Sequence, residues 1–350
     1  MKKGSFKLSF RSWLTVVTLI LLVGVVILAW PEIVKAWGLL DTVNLAILAL
    51  LIPVQLFSYY ATGGMIFSYL RSKGDLVGVS RWRMGRIALE LNFVNHILPS
   101  GGAAGFSYLG WVLGRFGVKP GRSTMAQLIR FLLTFVSFVL ILMAAVAFLI
   151  YDHRIDRTII LLSSVLVLLC LGAIVGTIYI VGSNQRLKTF SEWLTKFVNK
   201  TVRKITRGKK RKILKTHTIP NFFVELHQDY LAIRRDKRVL IKPFIWAIVA
   251  NLADVALIWI AFWALGYAVS PAIIFVAFGV SSLASAVSVT PGGAGVYEAI
   301  MIAFLASSGV PADVAIAGTL LARVTLVLGT ILFGYIFYQL TVIKYGRRTS

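Results

Sequence analysis

Apolar residues run along this chain in long unbroken stretches, not in the alternation of a half-buried strand or the stripe of a surface helix. A helix crosses the hydrocarbon core of a bilayer with ~20 apolar residues. Stretches of that order run from Trp13 to Trp30, Leu45 to Leu70, Met125 to Ile150, Ile159 to Val181, Phe244 to Leu265 and Val314 to Tyr338. They predict an all-α integral membrane protein with about six full transmembrane helices. Two further apolar stretches are broken in the middle, Ile87 to Gly114 by Pro99, Ser100, Gly101 and Gly102, and Ala272 to Ala306 by Thr290, Pro291, Gly292 and Gly293. Each half of the first has about a dozen residues and reaches only ~18 Å, too short to cross. Both stretches are therefore predicted to be re-entrant helical hairpins, spanning 87–114 and 272–306.

Charge orients these elements. Lys and Arg collect in the N-terminal tail, in the loops Arg71 to Arg86 and Arg115 to Arg122, in the segment Gln185 to Lys242 and in the tail Lys344 to Arg348, all of which the positive-inside bias places in the cytoplasm. Pro31 to Asp41, Gly266 to Pro271 and Ser307 to Asp313 are nearly free of basic residues and are assigned to the outside, while Tyr151 to Arg157 is mixed. The hairpin at 87–114 then enters from the cytoplasm and the one at 272–306 from outside. In register, Gly101-Gly102 falls on Gly292-Gly293, the same offset sets Pro120 on Pro311, and an arginine follows in the next span of each, Arg130 and Arg323. This ordered set, with inverted loop charge, predicts an inverted repeat within a single transmembrane domain. Repeat one covers 12–150, and repeat two comprises 158–181 and 243–342. The competing reading is a non-repeated bundle with incidental glycine motifs.

A basic amphipathic cytoplasmic segment, 182–242, links the repeats. Leu187, Phe190, Leu194, Phe197, Val198, Val202 and Ile205, and then Ile219, Phe222, Phe223, Leu226, Tyr230 and Ile233, recur at helical spacing among lysines and arginines. This predicts helices lying in the inner headgroup region. Docking of a protein partner is the alternative.

Composition narrows the function. The chain is 58% hydrophobic and only 14% charged, against ~25% charged for a soluble domain. Its net charge of +24 would suggest nucleic acid in a soluble protein, but here the charges sit in loops beside spans, which argues against nucleic acid. The single cysteine, Cys170, lies inside an apolar run, and His96, His153, His217 and His227 lack ligand spacing, so neither metal nor another cofactor is indicated. The basic residues before Trp13 resemble a secretory leader, but the apolar run is too long and lacks a small-residue cleavage site, so a retained anchor is expected.

Polar groups inside spans are costly and need a reason. Arg323 lies deep below the outer surface and is expected to be paired or functional, whereas Arg130 is near enough to the cytoplasmic face that snorkelling competes with function. Asp254 and Asn251, one turn apart, Glu298 on the returning half of the outer hairpin, and Glu90, Asn92, Asn95 and His96 on the entering half of the inner one complete the set. The carboxylates either serve the substrate or neutralise the arginines. Gly101, Gly102, Gly105, Gly292, Gly293 and Gly295 permit sharp turns with exposed amides, so each returning half-helix would aim its positive end at the bilayer interior beside an arginine. A phosphate suits such a site. Tight helix packing is the alternative role for these glycines.

At Thr290-Pro-Gly-Gly-Ala-Gly-Val-Tyr-Glu298, and at Leu98-Pro-Ser-Gly-Gly-Ala-Ala-Gly105, the chain resembles the flippase-like transmembrane region of lysylphosphatidylglycerol synthases and the stand-alone members of that family. The resemblance covers roughly Trp13 to Tyr345. It implies a flippase-like transporter in a bacterial or archaeal cytoplasmic membrane, with both termini cytoplasmic, moving an anionic phospholipid or a polyprenyl-phosphate glycolipid. Because the chain stops at Ser350, it implies the translocating half without the aminoacyltransferase half, so a lysyltransferase label would be inherited from the family name. Carried over, the second glycine motif maps to Pro291, Gly292, Gly293, Gly295 and Glu298 with Arg323, and the first to Pro99, Gly101, Gly102 and Gly105. The competing functions are a membrane enzyme transferring a group onto a lipid phosphate, through Glu90, Asn95 and His96, and an accessory subunit holding a lipid or glycan synthesis enzyme.

Overall fold

The structure is a computed structural model that describes residues 24, 27, 30, 31, 34 and 38 and the stretches 43–97, 103–153, 156–190, 192–193, 219–287 and 293–345. All regular structure among the described residues is helical. A turn, α1 (Leu45–Leu48), leads into α2 (Leu51–Ser72). It is followed by α3 (Arg81–Ile97), α4 (Ala103–Gly114), α5 (Pro120–Tyr151), α6 (Arg157–Val181), α7 (Ile219–Arg235), α8 (Ile241–Ala264), α9 (Pro271–Val287), α10 (Val296–Ser307), α11 (Ala312–Thr330) and α12 (Ile336–Tyr345). Five helical stretches among the described residues are long and apolar enough to cross a membrane: Leu45–Ser72, Pro120–Tyr151, Arg157–Val181, Lys237–Ala264 and Ala312–Lys344. The predicted first span, Trp13 to Trp30, lies almost wholly outside the described residues.

Local sequence explains the helix ends. Asn44 caps α1 by accepting from the amides of Ala46 and Ile47, and Asp156 caps α6 by accepting from Ile159. Pro120 opens α5 at a position where its missing amide costs nothing. The last span is interrupted by a π-helical turn, Ile331–Tyr335, between α11 and α12.

The short pairs α3/α4 and α9/α10 sit at opposite ends of the long helices. One apolar core joins α3 and α4 to the first halves of α5 and α8, through Met125, Ile129, Leu133, Ala247 and Ala250. A second core joins α9 and α10 to the second halves of the same helices, through Phe138, Leu142, Val255, Ile258 and Phe262. Packing is reciprocal as well: α9 lies on α5, while α3 lies on α11 and its π turn. The most extensive described pairing is α2 with α8. By contrast α6 is peripheral, with Leu161, Leu168 and Val175 more than three-fifths exposed along an apolar face suited to lipid.

The amphipathic helix α7 corrects one expectation. It packs against α5, with Leu226 buried and Tyr230 and Ile233 partly buried in the first core, so the bundle itself covers part of its apolar face. Its acids fasten the start of α5: Glu225 accepts from the Gly121 amide (3.1 Å), and Asp229 faces the Arg122 guanidinium (3.4 Å), which also pairs with Asp75 (3.1 Å). Burial pushes the Asp229 carboxyl above its usual range despite Arg122. The other predicted amphipathic stretch, beginning at Leu187, lies outside the described residues beyond Trp193.

Candidate functional site

Three buried polar clusters hold the candidate residues. The first forms where α3, α4 and α5 meet. Gln127 on α5 donates to the carbonyl of Phe106 in the first turn of α4 (3.3 Å), and the Phe106 ring stacks on Phe131 at 5.6 Å. One turn along from Gln127, Arg130 lays its guanidinium over Phe131, 4.4 Å from the ring centre. Arg130 is 9% exposed, no described carboxylate pairs with it, and its Nε has no hydrogen-bond partner. Snorkelling is thereby overturned: the side chain turns inward to an aromatic face. Asn95 Oδ1 and Gln127 Oε1 are likewise buried without partners. A Cβ at Gly105 would stand 2.1 Å from Asn95 Oδ1, so only glycine lets α4 approach α3 here.

The second cluster lies among α2, α8, α10 and α11. Gly293 and Gly295 have φ of 72° and 85°, the left-handed turn that starts α10. Glu298 then folds back. Its Oε2 accepts from the Gly295 amide at 2.6 Å, while Oε1 lies 2.7 Å from Arg323 Nε. The expectation of an open helix N-terminus at this hairpin is corrected, because the residue three places on already covers it with its own carboxylate. Tyr297 lies under the Arg323 guanidinium at 5.0 Å, and Asp254, Glu298 and Arg323 all act electrostatically on its hydroxyl. Asp254 accepts from Ser58 at 2.5 Å. Nearby, Gln55 donates to Tyr59 and to the Leu326 carbonyl, each at 2.7 Å, and Tyr59 bonds Thr330 at the edge of the π turn.

The third cluster is closed. Glu90 is fully buried, and its carboxylate accepts from Arg86 (2.9 Å), Thr341 (2.6 Å) and Tyr108 (2.5 Å), tying α3 and α4 to α12. It lies apart from the Arg130 cluster, paired instead with an arginine one turn away on its own helix. Asn251 is also committed: its amide donates to the Thr134 carbonyl (3.1 Å) and to Ser137 (2.6 Å) on α5. Asn251→Leu is expected to cost about 1 kcal/mol of stability, read as a lower thermal midpoint of the purified protein with function retained. Lost function at unchanged midpoint would return Asn251 to the substrate.

Of the sequence-predicted residues, Arg130, Asn95 and Gly105 come together in one cluster and Arg323, Glu298, Gly293, Gly295 and Asp254 in another. Gly101, Gly102 and Gly292 lie outside the described residues, as does the side chain of His96. Gln55, Ser58, Tyr59, Gln127, Tyr297 and Thr330 were missed, although Gln55 and Gln127 carried a signal as lone amides inside apolar runs. Among the described residues no group of acids, histidines and cysteine could hold a metal.

Long apolar helices, short helix pairs set at opposite ends and ionisable groups buried between them define a multi-pass membrane protein with polar sites inside the bundle. Residues 14–334 match the model of the lysylphosphatidylglycerol synthase TM region, and the chain belongs to that family. It is thus a membrane protein related to lipid modification. No curated protein matches the chain.

Proposed function

We propose that this protein is a flippase-like transporter that moves an anionic phospholipid, or a polyprenyl-phosphate lipid, across the cytoplasmic membrane. The observation that carries the reading is Arg130. A cation buried without a counter-charge costs several kcal/mol. It lies over Phe131, whose ring stacks on Phe106 in the first turn of α4, so a phosphate on the guanidinium also meets the positive end of that helix. The placement of the short helix pairs at opposite ends of α5 and α8 supports re-entrant hairpins and an inverted repeat, the architecture in which alternating access moves a substrate between two such sites.

In this reading the lipid phosphate binds Arg130 from one side, with its tails remaining in the bilayer. On the other side Arg323 and the Gly295 amide hold the Glu298 carboxylate in the place a phosphate would take. Passage requires Glu298 to release Arg323 so that the lipid phosphate takes its place on the guanidinium. Glu90 is saturated by three donors, which disfavours it as the acid or base of a group-transfer enzyme. Purified protein in liposomes is expected to expose fluorescent phosphatidylglycerol to an external quencher faster than protein-free liposomes do. Equal rates for every anionic lipid tested would reject transport.

A further inference from the structure

A cavity of about 390 Å³ opens between α5, α6 and α7, and its α5 wall runs past Gln127 and Arg130 without including either. Its walls are apolar, with Leu128, Ile129, Leu132 and Leu133 on one side and Ile178 on the other, and its rim carries Arg234 and Lys237. Both rim residues are exposed and form no ion pair with any described residue. The volume falls within the ~300–1,000 Å³ that accommodates a small apolar ligand. The walls belong to the first half of α5 and the end of α6, and the rim to the helix and turn that lead into α8. By loop charge this is the cytoplasmic edge of the bundle, at the level where hydrocarbon meets headgroups.

A ligand reaching such a cavity from the membrane must present hydrocarbon to the walls and charge to the rim. We infer that this cavity binds an anionic phospholipid that is retained rather than transported, with one acyl chain against Leu128–Leu133 and its phosphate on Arg234 and Lys237. A zwitterionic lipid would gain the walls but would set its own ammonium against the rim, which makes the site selective by charge. The position gives the lipid a purpose. It lies where α7 meets α5, and α7 holds the first turn of α5 through Glu225 and Asp229. A lipid here cements that joint, two turns before Arg130.

The inference is independent of the transport reading, and one experiment separates them. The full chain, reconstituted in phosphatidylcholine vesicles, is photolabelled with a trace of phosphatidylglycerol bearing a diazirine in its acyl chain, and labelled peptides are mapped by mass. Label is expected on the peptide containing Thr177, Ile178 and Val181, the wall of the cavity that carries no residue of the Arg130 cluster. Each basic residue near a membrane surface contributes about fivefold to anionic lipid binding, so Arg234→Gln with Lys237→Gln is expected to lower that label by roughly tenfold or more. Arg130→Gln is expected to leave it intact. Label unchanged in the double variant, absent from this peptide, equal with a phosphatidylcholine probe, or abolished by Arg130→Gln would each overturn the assignment.

Discussion

Arg130→Met is expected to leave the thermal midpoint of the protein unchanged or higher while lowering transport of anionic lipid roughly hundredfold. These opposite directions follow from one fact, that the guanidinium is buried with no carboxylate paired to it among the described residues. Replacing a buried ion with a well-fitting apolar side chain is often neutral or stabilising by ~1–4 kcal/mol, and methionine fits beside Phe131 without leaving any carboxylate stranded. A hydrogen bond to a charged group contributes ~1.5–3 kcal/mol when its partner arrives, and ~2.7 kcal/mol lost in the loaded state is a hundredfold in rate. Arg130→Lys should fall between, since it keeps the charge but loses the fork that grips two phosphate oxygens. A liposome transport rate together with a melting curve in detergent tests the pair. A large drop in midpoint would show Arg130 to be structural, and undiminished transport would remove it from the substrate path.

The second arginine should behave in the opposite way. Arg323→Met strands the Glu298 carboxylate, which is 4% exposed and has lost its 2.7 Å partner. Breaking a buried pair from one side costs ~3–5 kcal/mol, and the partial exposure of Arg323 argues for the lower end, about 3 kcal/mol. Adding Glu298→Gln removes the stranded charge and keeps an oxygen to accept from the Gly295 amide, so the double variant is expected to recover most of the midpoint. Transport should stay low in both. If the single variant is as stable as the parent, the ion pair is not what holds α10 to α11. If the double variant is as unstable as the single one, the loss comes from packing on Tyr297.

The contrast between the two arginines was only half legible in the sequence. Counting residues from the outer loop placed Arg323 too deep to reach water, and a paired role followed. Arg130 lies near the cytoplasmic end by the same count, and nothing in the count reveals that the pair α3/α4 covers that end and turns the side chain inward. Asn251 and Asp254, one turn apart, would be expected on one face of the helix. Three positions along a helix rotate by about 60°, enough at this crowded crossing to aim Asn251 at α5 and Asp254 at α2. The pairing of Glu90 with Arg86 follows from their spacing of four on one helix. At the second break in the apolar runs, α10 begins at Val296 directly after Gly293 and Gly295, whose φ angles are positive. The network of Gln55, Tyr59 and Thr330 joins the second span to the last, a contact that no pattern within either run announces.

The carboxylate folded over the start of α10 has a consequence for leakage. Being covalently attached, Glu298 competes for Arg323 at an effective concentration on the order of millimolar or above. A dissolved anion such as inorganic phosphate or chloride would have to exceed that level to displace it. A lipid phosphate would meet the same competitor at the high local density that confinement to the plane of a bilayer provides. In the transport reading proposed above, a tethered acid of this kind keeps the lipid's polar path shut to the soluble ions on either side.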